Sequence, residues 1–295
     1  MLFALIPPET SCGRGMRFFA ILCWLLAFVA QPARAASSPG LQSLEQQLAY
    51  LVAASPGDVG LAALDLKTGE TVSIHGDTPF PMASTVKVAI AANYLAQVEH
   101  GRRSLSDNIA GVSASRLMEA MLIHSDNRAT DLLLRDLGGP STVQAWLTQN
   151  QVTGVRIDRS IADLLRARRD LYDVRDSSTP RAMVSLLQRL DSGKLVGPSS
   201  RSHLLYLMSR CMTGKNRMRA LLPMGTQVEH KTGTLTGLSS DVGFITMPDG
   251  RRIAVAFFAR GGSDRPRTIA QAARAIYDGF ATAWRTPFGP AYSTR

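Results

Sequence analysis

Strand-like segments at both ends of the chain, separated by a long helical block, most constrain what this sequence can fold into. Residues 58–76 (DVGLAALDLKTGETVSIHG) contain two apolar runs around a Thr-Gly turn, which is typical of a hairpin. Residues 226–261 contain three further runs, the last two separated by Pro-Asp-Gly. Because strands must pair to satisfy their backbone groups, we expect the two ends to meet in one antiparallel sheet.

The block between these strands is predicted to be helical. Six segments repeat apolar residues at helical spacing: STVKVAIAANYLAQVEH, SASRLMEAMLIH, RATDLLLRDLG, PSTVQAWLTQN, TPRAMVSLLQRLD and RSHLLYLMSRCM. Further helices are predicted at residues 41–54 and 265–284. The expected fold is of the mixed α/β (α+β) class, with an antiparallel sheet flanked by helices, an all-helical lobe, and a cleft between them. The sheet lobe would span about residues 36–75 and 215–286, and the helical lobe about 76–214, as parts of one domain.

The first 35 residues have the pattern of a secretory signal peptide. A basic start precedes an apolar run at residues 18–30 and the small-x-small sequence Ala-Arg-Ala at 33–35, while Met16 is an alternative start. We expect cleavage after Ala35 and a periplasmic or secreted domain of residues 36–295. The apolar run is short for a bilayer span, so no stable membrane insertion is expected after cleavage.

The basic composition does not favour a nucleic-acid partner. The net charge of +10 falls to +8 without the leader, which holds three arginines and one glutamate, and the remaining bases form no basic-aromatic stripe. We expect a monomer that binds no nucleic acid. Cys211 is the only cysteine after the leader, so no intramolecular disulfide is expected, and it is interpreted as a buried helix residue.

A Ser-x-x-Lys pair in PFPMASTVKVAIAANYL provides a candidate nucleophile and base. Ser84 and Lys87 lie three apart at a predicted helix start, so their side chains project from one face. A lysine in a partly apolar cleft beside another cation has a lowered pKa and can accept the serine proton near neutral pH. Taken alone, the motif is common by chance, and its alternative interpretation is a helix cap with a surface lysine.

Two Ser-Asp-Asn tripeptides compete as a second element of this site. Residues 106–108 are predicted to lie in a capped loop, whereas residues 125–127 form a short corner between two predicted helices. We therefore expect Ser125 to project into the cleft as a proton shuttle to a leaving nitrogen. Asn127 is expected to contact both the substrate and Lys87 through its amide.

A Lys-Thr-Gly sequence begins the C-terminal group of strands. Lys231 supplies positive charge for a substrate carboxylate, Thr232 supplies a hydroxyl, and Gly233 leaves room for close approach. The backbone N–H of Thr234, together with that of Ser84, is a candidate oxyanion hole. A turn or an exposed edge is the alternative for any single Lys-Thr-Gly.

Two histidines flank these motifs, and neither is predicted to have a catalytic role. His124 precedes the corner serine, and His230 precedes the strand lysine. Each is interpreted as a packing or surface residue, because Lys87 already supplies a base and no partner carboxylate is indicated.

Taken in order, Ser-x-x-Lys, Ser-Asp-Asn and Lys-Thr-Gly resemble the motifs of the penicillin-recognising serine enzymes, most closely the class A β-lactamases. The segments SDNRATDLLLRDLGGPSTVQAWL, DSSTPRAM, TGKNRMRALLP and HKTGTLTG are similar to that family in the same order. The resemblance implies a β-lactamase/transpeptidase-like fold in which Ser84 is acylated. It also implies that Arg217 faces the substrate carboxylate, with an ordinary helix-end cation as the alternative for this residue.

The segment DRSIADLLRARRDLYDVRD, residues 158–176, departs from the family pattern because it has five aspartates, five arginines and no glutamate. The resemblance implies that an ion pair closes this loop, which Arg159 and Asp176 fit. It also implies a glutamate that acts as the deacylation base, and this chain lacks it: two positions after Arg159 stands Ile161. The loss argues against fast hydrolysis of an acyl-enzyme.

Asp163 is the expected substitute for the missing glutamate. Apolar residues flank it, and burial among them would raise its pKa towards that of a useful base. Asp170 and Asp173 stand among arginines and are expected to be solvated or ion-paired.

Three functional hypotheses follow. The first is a class A type serine β-lactamase that hydrolyses the β-lactam amide through an acyl-enzyme on Ser84, without a metal or organic cofactor. The second is a penicillin-binding DD-peptidase or related serine acyl hydrolase acting on cell-wall peptides with the same residues. The third is a binding protein that β-lactams acylate without turnover. The class A-like segments favour the first, and the missing glutamate favours the other two.

Overall fold

Strands from the two ends of the chain form one five-stranded sheet in the computed structural model, which describes residues 39–168 and 170–283. The strands are β1 (Asp58–Asp65), β2 (Thr71–Ile74), β3 (Phe80–Pro81), β4 (Asn108–Ile109), β5 (Val112–Ser113), β6 (Ser177–Ser178), β7 (Val228–Leu235), β8 (Leu238–Thr246) and β9 (Arg252–Arg260). The large sheet has the order β2-β1-β9-β8-β7 and is antiparallel throughout, while β3–β6 and β4–β5 form two small pairs. The predicted antiparallel sheet built from both ends is confirmed.

Helices enclose this sheet and form the predicted helical block. They are α1 (Pro39–Ala53), α2 (Lys87–Glu99), α3 (Ala114–Ile123), α4 (Asn127–Asp136), α5 (Pro140–Gln149), α6 (Ile161–Arg166), α7 (Pro180–Asp191), α8 (Pro198–Ser209) and α9 (Arg265–Ala283). A 3-10 turn, Ala83–Val86, precedes α2. The six-residue α6 lies in the aspartate-rich segment, where the sequence predicted no helix.

The sheet is buried on both faces, and this explains the apolar runs of its strands. Along β1, Leu61 and Ala63 belong to a core that includes residues of α1 and α9, such as Leu44 and Phe280. The alternate residues of β1, such as Ala62, belong to a second core shared with α2 and the other helices. Side chains of successive strand residues point to opposite faces, so a strand between two layers needs apolar residues at nearly every position.

Helix α2 lies at the centre of the second core. Every residue from Lys87 to Ala96 is buried, although a surface helix would show one polar face. The helix therefore carries a buried amine at its first position, which an apolar environment makes costly to ionise. Cys211 is buried as expected, but it lies just after α8 rather than within a helix.

The predicted signal peptide, residues 1–35, and its apolar run lie outside the described residues. Within residues 39–168 and 170–283, none of the helices combines the length and the apolar character that crossing a membrane requires.

Candidate active site

Ser84 lies in the strained 3-10 turn that leads into α2. It is half-buried, whereas the residues on either side of it are buried. The preceding Ala83 has φ of 50°, a left-handed conformation that is unfavourable for a residue with a Cβ. The carbonyl oxygen of Met82 accepts the Oγ1–H of Thr85 at 2.8 Å and thereby braces the turn. The backbone N–H groups of such a first turn lack partners within the helix.

The amine of Lys87 donates to groups of the corner between α3 and α4. Its Nζ lies 2.7 Å from the carbonyl oxygen of Ser125, 3.2 Å from the Ser125 Oγ, and 2.9 Å from Oδ1 of Asn127. Burial, followed by the charge of Lys231, lowers the pKa of Lys87 to about 7. A substantial fraction of the amine is therefore neutral at physiological pH and can accept a proton.

Ser125 has an unfavourable left-handed backbone conformation and directly precedes a helix cap. Ser125 has φ of 59°, and the following Asp126 caps α4 through a hydrogen bond to the N–H of Ala129 at 2.6 Å. The competing tripeptide lies elsewhere: Ser106 is exposed and bonds Oγ of Ser104. Of the two Ser-Asp-Asn sequences, the structure brings the second to Lys87.

Lys231 approaches the same serine from the sheet. Its Nζ lies 2.9 Å from the Oγ of Ser125 and 2.9 Å from the carbonyl oxygen of Thr232. The side chain is fully buried, and burial lowers its pKa to about 8. Strand β7 is at the sheet edge, so alternate backbone groups of this strand face away from β8.

The next residues of β7 lie against the serine turn. A Cβ at Gly233 would lie 2.6 Å from the carbonyl oxygen of Met82 and 3.0 Å from Cβ of Ala83, so only glycine allows this contact. The Oγ1 of Thr232 lies 2.5 Å from Oγ1 of Thr213, a partner that the sequence did not indicate. Thr234 is exposed near the end of the strand.

Arg217 belongs to the segment between α8 and β7, and it is buried against the Lys-Thr-Gly strand. Its Nη1 donates to the carbonyl oxygens of Gly233 at 2.8 Å and Ser240 at 2.9 Å, and its Nη2 donates to Oγ1 of Thr234 at 2.6 Å. Burial lowers its pKa. Arg217 thus lies in no helix, and its predicted contact with a substrate carboxylate stays a prediction.

An ion pair closes the aspartate-rich loop. Nε of Arg159 lies 2.5 Å from Oδ2 of Asp176, whose Oδ1 also accepts the N–H groups of Asp158 and Arg159 at 2.8 and 3.0 Å. The carbonyl oxygen of Asp176 accepts the N–H of Met82 at 2.9 Å. The end of the loop is thus bonded to the turn that carries Ser84. As expected, Asp173 is ion-paired, and a hydrogen bond from Arg175 lowers its pKa to about 2.

The expectation that Asp163 is buried and has a raised pKa is wrong. Its side chain is 53% exposed and accepts hydrogen bonds from Oγ of Ser160 at 2.6 Å and Nη2 of Arg166 at 2.5 Å. The hydrogen bond from Ser160 lowers the pKa of this carboxyl. The physical reason is the unpredicted helix α6: two positions along a helix are about 200° apart, so burying Ile161 turns Asp163 outwards.

Asp131 of α4 positions this helix, and sequence reasoning missed it. Its two carboxylate oxygens accept the N–H groups of Ile161 at 2.7 Å and Ala162 at 2.9 Å. Asp131 is four residues after Asn127, so both lie on one face of α4, and this spacing was the available signal. The corner of the site and the loop are therefore joined by one carboxylate.

His230 has the partner carboxylate that the sequence did not indicate. Its Nδ1 lies 2.7 Å from Oδ1 of Asp241 on the neighbouring strand β8, and both side chains are fully buried. His230 is thus a packing residue, as expected, but one engaged in a buried polar pair. His124 is exposed.

The site has a half-buried serine in the turn before α2, a buried lysine of lowered pKa three residues later, and a second serine in contact with two lysines. This combination defines a serine hydrolase of the penicillin-recognising kind. The family model described as "Beta-lactamase enzyme family" matches residues 43–280. The chain belongs to this family, in its class A branch.

Sequence relatives and solved structures agree with this assignment. The carbapenem-hydrolyzing β-lactamase KPC of Klebsiella oxytoca is 30% identical over 86% of this chain and 95% of its own length. A β-lactamase of Proteus vulgaris is 31% identical over 69% of this chain and 82% of its own length. An ancestral class A β-lactamase (GNCA) has a TM-score of 0.76 at 33% identity and is covered over its full length by 80% of this chain. A β-lactamase from Chitinophaga pinensis has a TM-score of 0.75 at 27% identity, covering 81% of this chain and 99% of that one.

Proposed function

We propose that this chain is a serine β-lactamase that opens the β-lactam amide through an acyl-enzyme on Ser84. The observation that carries the proposal is the position of the Ser125 hydroxyl between the amines of Lys87 and Lys231, at 3.2 and 2.9 Å. A hydroxyl between a neutral amine and a cationic amine is suited to relay a proton to a leaving nitrogen.

Acylation then proceeds through a series of proton transfers among Ser84, Lys87, Ser125 and the lactam nitrogen. Neutral Lys87 takes the proton of Ser84 as its Oγ bonds to the lactam carbonyl carbon, and the N–H groups of Ser84 and Thr234 stabilise the oxyanion. When the carbon–nitrogen bond breaks, the nitrogen takes the proton of Ser125, which regains one from Lys87. Water hydrolyses the resulting ester in the second half-reaction.

Lys231, Thr232, Thr234 and Arg217 form what we call the cationic wall of the site. We propose that this wall holds the substrate carboxylate. Lys231 offers the charge, Thr232 and Thr234 offer hydroxyls, and Arg217 fixes the Thr234 hydroxyl through its 2.6 Å hydrogen bond. Asn127 is proposed to contact the substrate amide while its oxygen accepts from Lys87. Both half-reactions, as proposed, use side chains, backbone N–H groups and water.

A second candidate, a DD-peptidase or related acyl hydrolase, is favoured by one specific observation. The loop position expected for a glutamate carries the buried Ile161, and Asp163 is exposed with a lowered pKa. With Ile161 at the glutamate position and Asp163 turned outwards, acylation can proceed but water attack on the ester is slowed. The periplasmic or secreted location, the monomeric state and the absence of nucleic-acid partners remain predictions from the sequence.

A chromogenic cephalosporin assay combined with intact-mass measurement tests the proposal. Catalytic turnover by the wild type, together with loss of both turnover and adduct in Ser84→Ala, is the expected result. A persistent adduct without turnover would overturn β-lactam hydrolysis and support the acyl hydrolase or the acylated binding protein. Turnover of a D-Ala-D-Ala peptide by the same preparation would identify the peptidase.

A further inference from the structure

Arg260, the last residue of β9, is buried and contacts three separate segments of the chain. Its Nε lies 3.1 Å from Oδ2 of Asp58, the residue opposite it in the β1–β9 ladder. Its Nη1 donates to the carbonyl oxygens of Pro79 at 3.0 Å and Leu171 at 3.2 Å. One guanidinium therefore joins the sheet, the segment that leads to Ser84, and the middle of the aspartate-rich loop.

Two aromatic rings contact the same guanidinium. Its central carbon, Cζ, lies 4.6 Å from the centroid of the Phe80 ring and 4.0 Å from that of the Tyr172 ring. A cation over the face of an aromatic ring is attracted by the ring electrons. The hydroxyl of Tyr172 also donates to Oδ2 of Asp58 at 3.2 Å. This cluster fixes the middle of the loop, whereas the ion pair of Arg159 and Asp176 fixes its ends.

The middle of the loop lies against the turn that follows strand β7. A Cβ at Gly237, in this turn, would lie 2.8 Å from Cδ1 of Leu171. The N–H of Gly261, which follows Arg260, donates to the carbonyl oxygen of Gly237 at 2.8 Å. Loop residues and Leu235, the last residue of β7, together line a small cavity. The loop therefore borders the cleft where the strand of the Lys-Thr-Gly motif ends.

The proposed binding mode directs the acyl side chain of the substrate towards this border. In a β-lactam, the carbonyl group lies between the ring nitrogen, on the side of the carboxylate, and the carbon that carries the acylamino side chain. Along β7, Lys231 precedes Thr234, and Leu235 follows it. With the carboxylate near Lys231 and the carbonyl oxygen at the N–H of Thr234, the side chain extends towards Leu235 and Gly237. Leu171 of the loop packs at that end of the strand.

We infer that Arg260 is a positioning residue that limits the size of the acyl side chain which the site accepts, because it fixes the middle of the loop beside the end of β7. The inference rests on the proposed function, since it places a lactam between Ser84 and the Lys-Thr-Gly strand. Without the guanidinium, the ends of the loop keep their ion pair, but the middle loses a hydrogen bond and a ring contact. The middle can then move outwards and leave room for a larger side chain.

The rates at which two penicillins are opened test this role. Benzylpenicillin and piperacillin share the ring system, the carboxylate and the side-chain amide, but piperacillin has a much larger acyl group. The readout is the second-order rate constant of lactam opening for piperacillin divided by that for benzylpenicillin. In Arg260→Gln we expect this ratio to rise roughly tenfold, the scale on which pocket shape separates similar substrates. A variant with a smaller folded fraction would lower both rates and leave the ratio unchanged.

Arg252→Gln is the matched control. Arg252 is the first residue of the same strand, its Cζ lies 4.2 Å from the centroid of the Phe244 ring, and it pairs with Asp191 and Glu229. It makes the same kinds of contact as Arg260, but at the opposite end of β9. We expect its loss to lower thermal stability and to leave the ratio unchanged. An unchanged ratio in Arg260→Gln, or an equal rise in both variants, would overturn the inference.

Two substitutions of Tyr172 keep the test decisive if Arg260→Gln does not fold. Tyr172→Phe keeps the ring over the guanidinium and loses only the hydroxyl, so it should keep the wild-type ratio. Tyr172→Ala removes the ring and should raise the ratio. Equal ratios in these two variants contradict the inference, whereas a wild type that opens neither penicillin contradicts the proposed function instead.

Discussion

Nζ of Lys231 lies 2.9 Å from Oγ of Ser125, although the two residues are 106 positions apart in the chain. Lys87 reaches the same oxygen at 3.2 Å from the helical lobe. One hydroxyl thus joins the sheet lobe to the helical lobe and has two amines of different acidity as neighbours. Burial lowers the pKa of both amines, to about 7 for Lys87 and about 8 for Lys231, and this order supports the proposed roles of Lys87 as base and Lys231 as cation.

The rate of acylation should follow a bell-shaped pH profile. Lys87 must be neutral to accept a proton, so the rate falls as pH drops below about 7. Lys231 must be charged to attract a carboxylate, so the rate also falls as pH rises above about 8. The measurement is the second-order rate of labelling by a fluorescent penicillin between pH 5 and 10. A rate that rises steadily through this range contradicts the assignment of Lys231.

Replacing Lys87 by Met should slow acylation strongly without weakening the fold. Loss of a positioned base lowers the rate by about 10²–10⁴-fold. The folded protein holds this amine at a pKa of about 7 instead of 10.5, so between these values it binds fewer protons than the unfolded chain. The contribution of this amine to stability therefore rises with pH between these values. The charged, buried amine destabilises the folded state most near pH 7 and below, and Lys87→Met removes this destabilisation.

Urea denaturation at pH 7 and pH 10 checks this prediction. We expect Lys87→Met to be at least as stable as the wild type at pH 7. The difference in the free energy of unfolding between the two proteins should be smaller at pH 10. Lys194→Met changes an exposed lysine and is the control; it should alter the free energy of unfolding at neither pH. A clear loss of stability at pH 7 in Lys87→Met would show that the amine stabilises the fold.

Asp163→Asn should leave the lifetime of the acyl-enzyme unchanged. The carboxyl is exposed, and its hydrogen bonds go to Ser160 and Arg166 rather than to the site. Intact-mass measurement after rapid mixing with a penicillin gives the lifetime directly. Asp170→Asn, at another exposed loop aspartate, is the matched control. A longer-lived adduct in Asp163→Asn alone would restore this residue as the base.

Asp176→Asn should destabilise the loop that the ion pair closes. The substitution removes the carboxylate paired with Arg159 and weakens the acceptor of two backbone N–H groups. Breaking a largely buried pair costs about 3 kcal/mol, which urea denaturation measures. Hydrogen exchange should increase in residues 158–176 first. The exposed pair of Asp163 and Arg166 offers the contrast, since Asp163→Asn should change stability little.

Much of the fold could be predicted because its signals are local. Apolar runs bounded by turn residues indicated the strands, helical spacing indicated the helices, and the Lys-Thr-Gly and Ser-x-x-Lys motifs indicated the lysines. The central helix α2 is mostly apolar, as a buried helix must be, and the order of the three motifs indicated the family. Helix α6 was missed because six residues give too little periodicity to distinguish it from a loop.

The sequence by itself therefore determined the elements, the family and the identity of the polar residues at the motifs. Only the tertiary structure decided the pairing of His230 with Asp241, the capping of α6 by Asp131, and the outward orientation of Asp163. These contacts join residues 11 to 31 positions apart, or depend on which face of a short helix is buried. Burial and the distance between charges set the pKa of a group, and both are properties of the packed chain rather than of any local pattern.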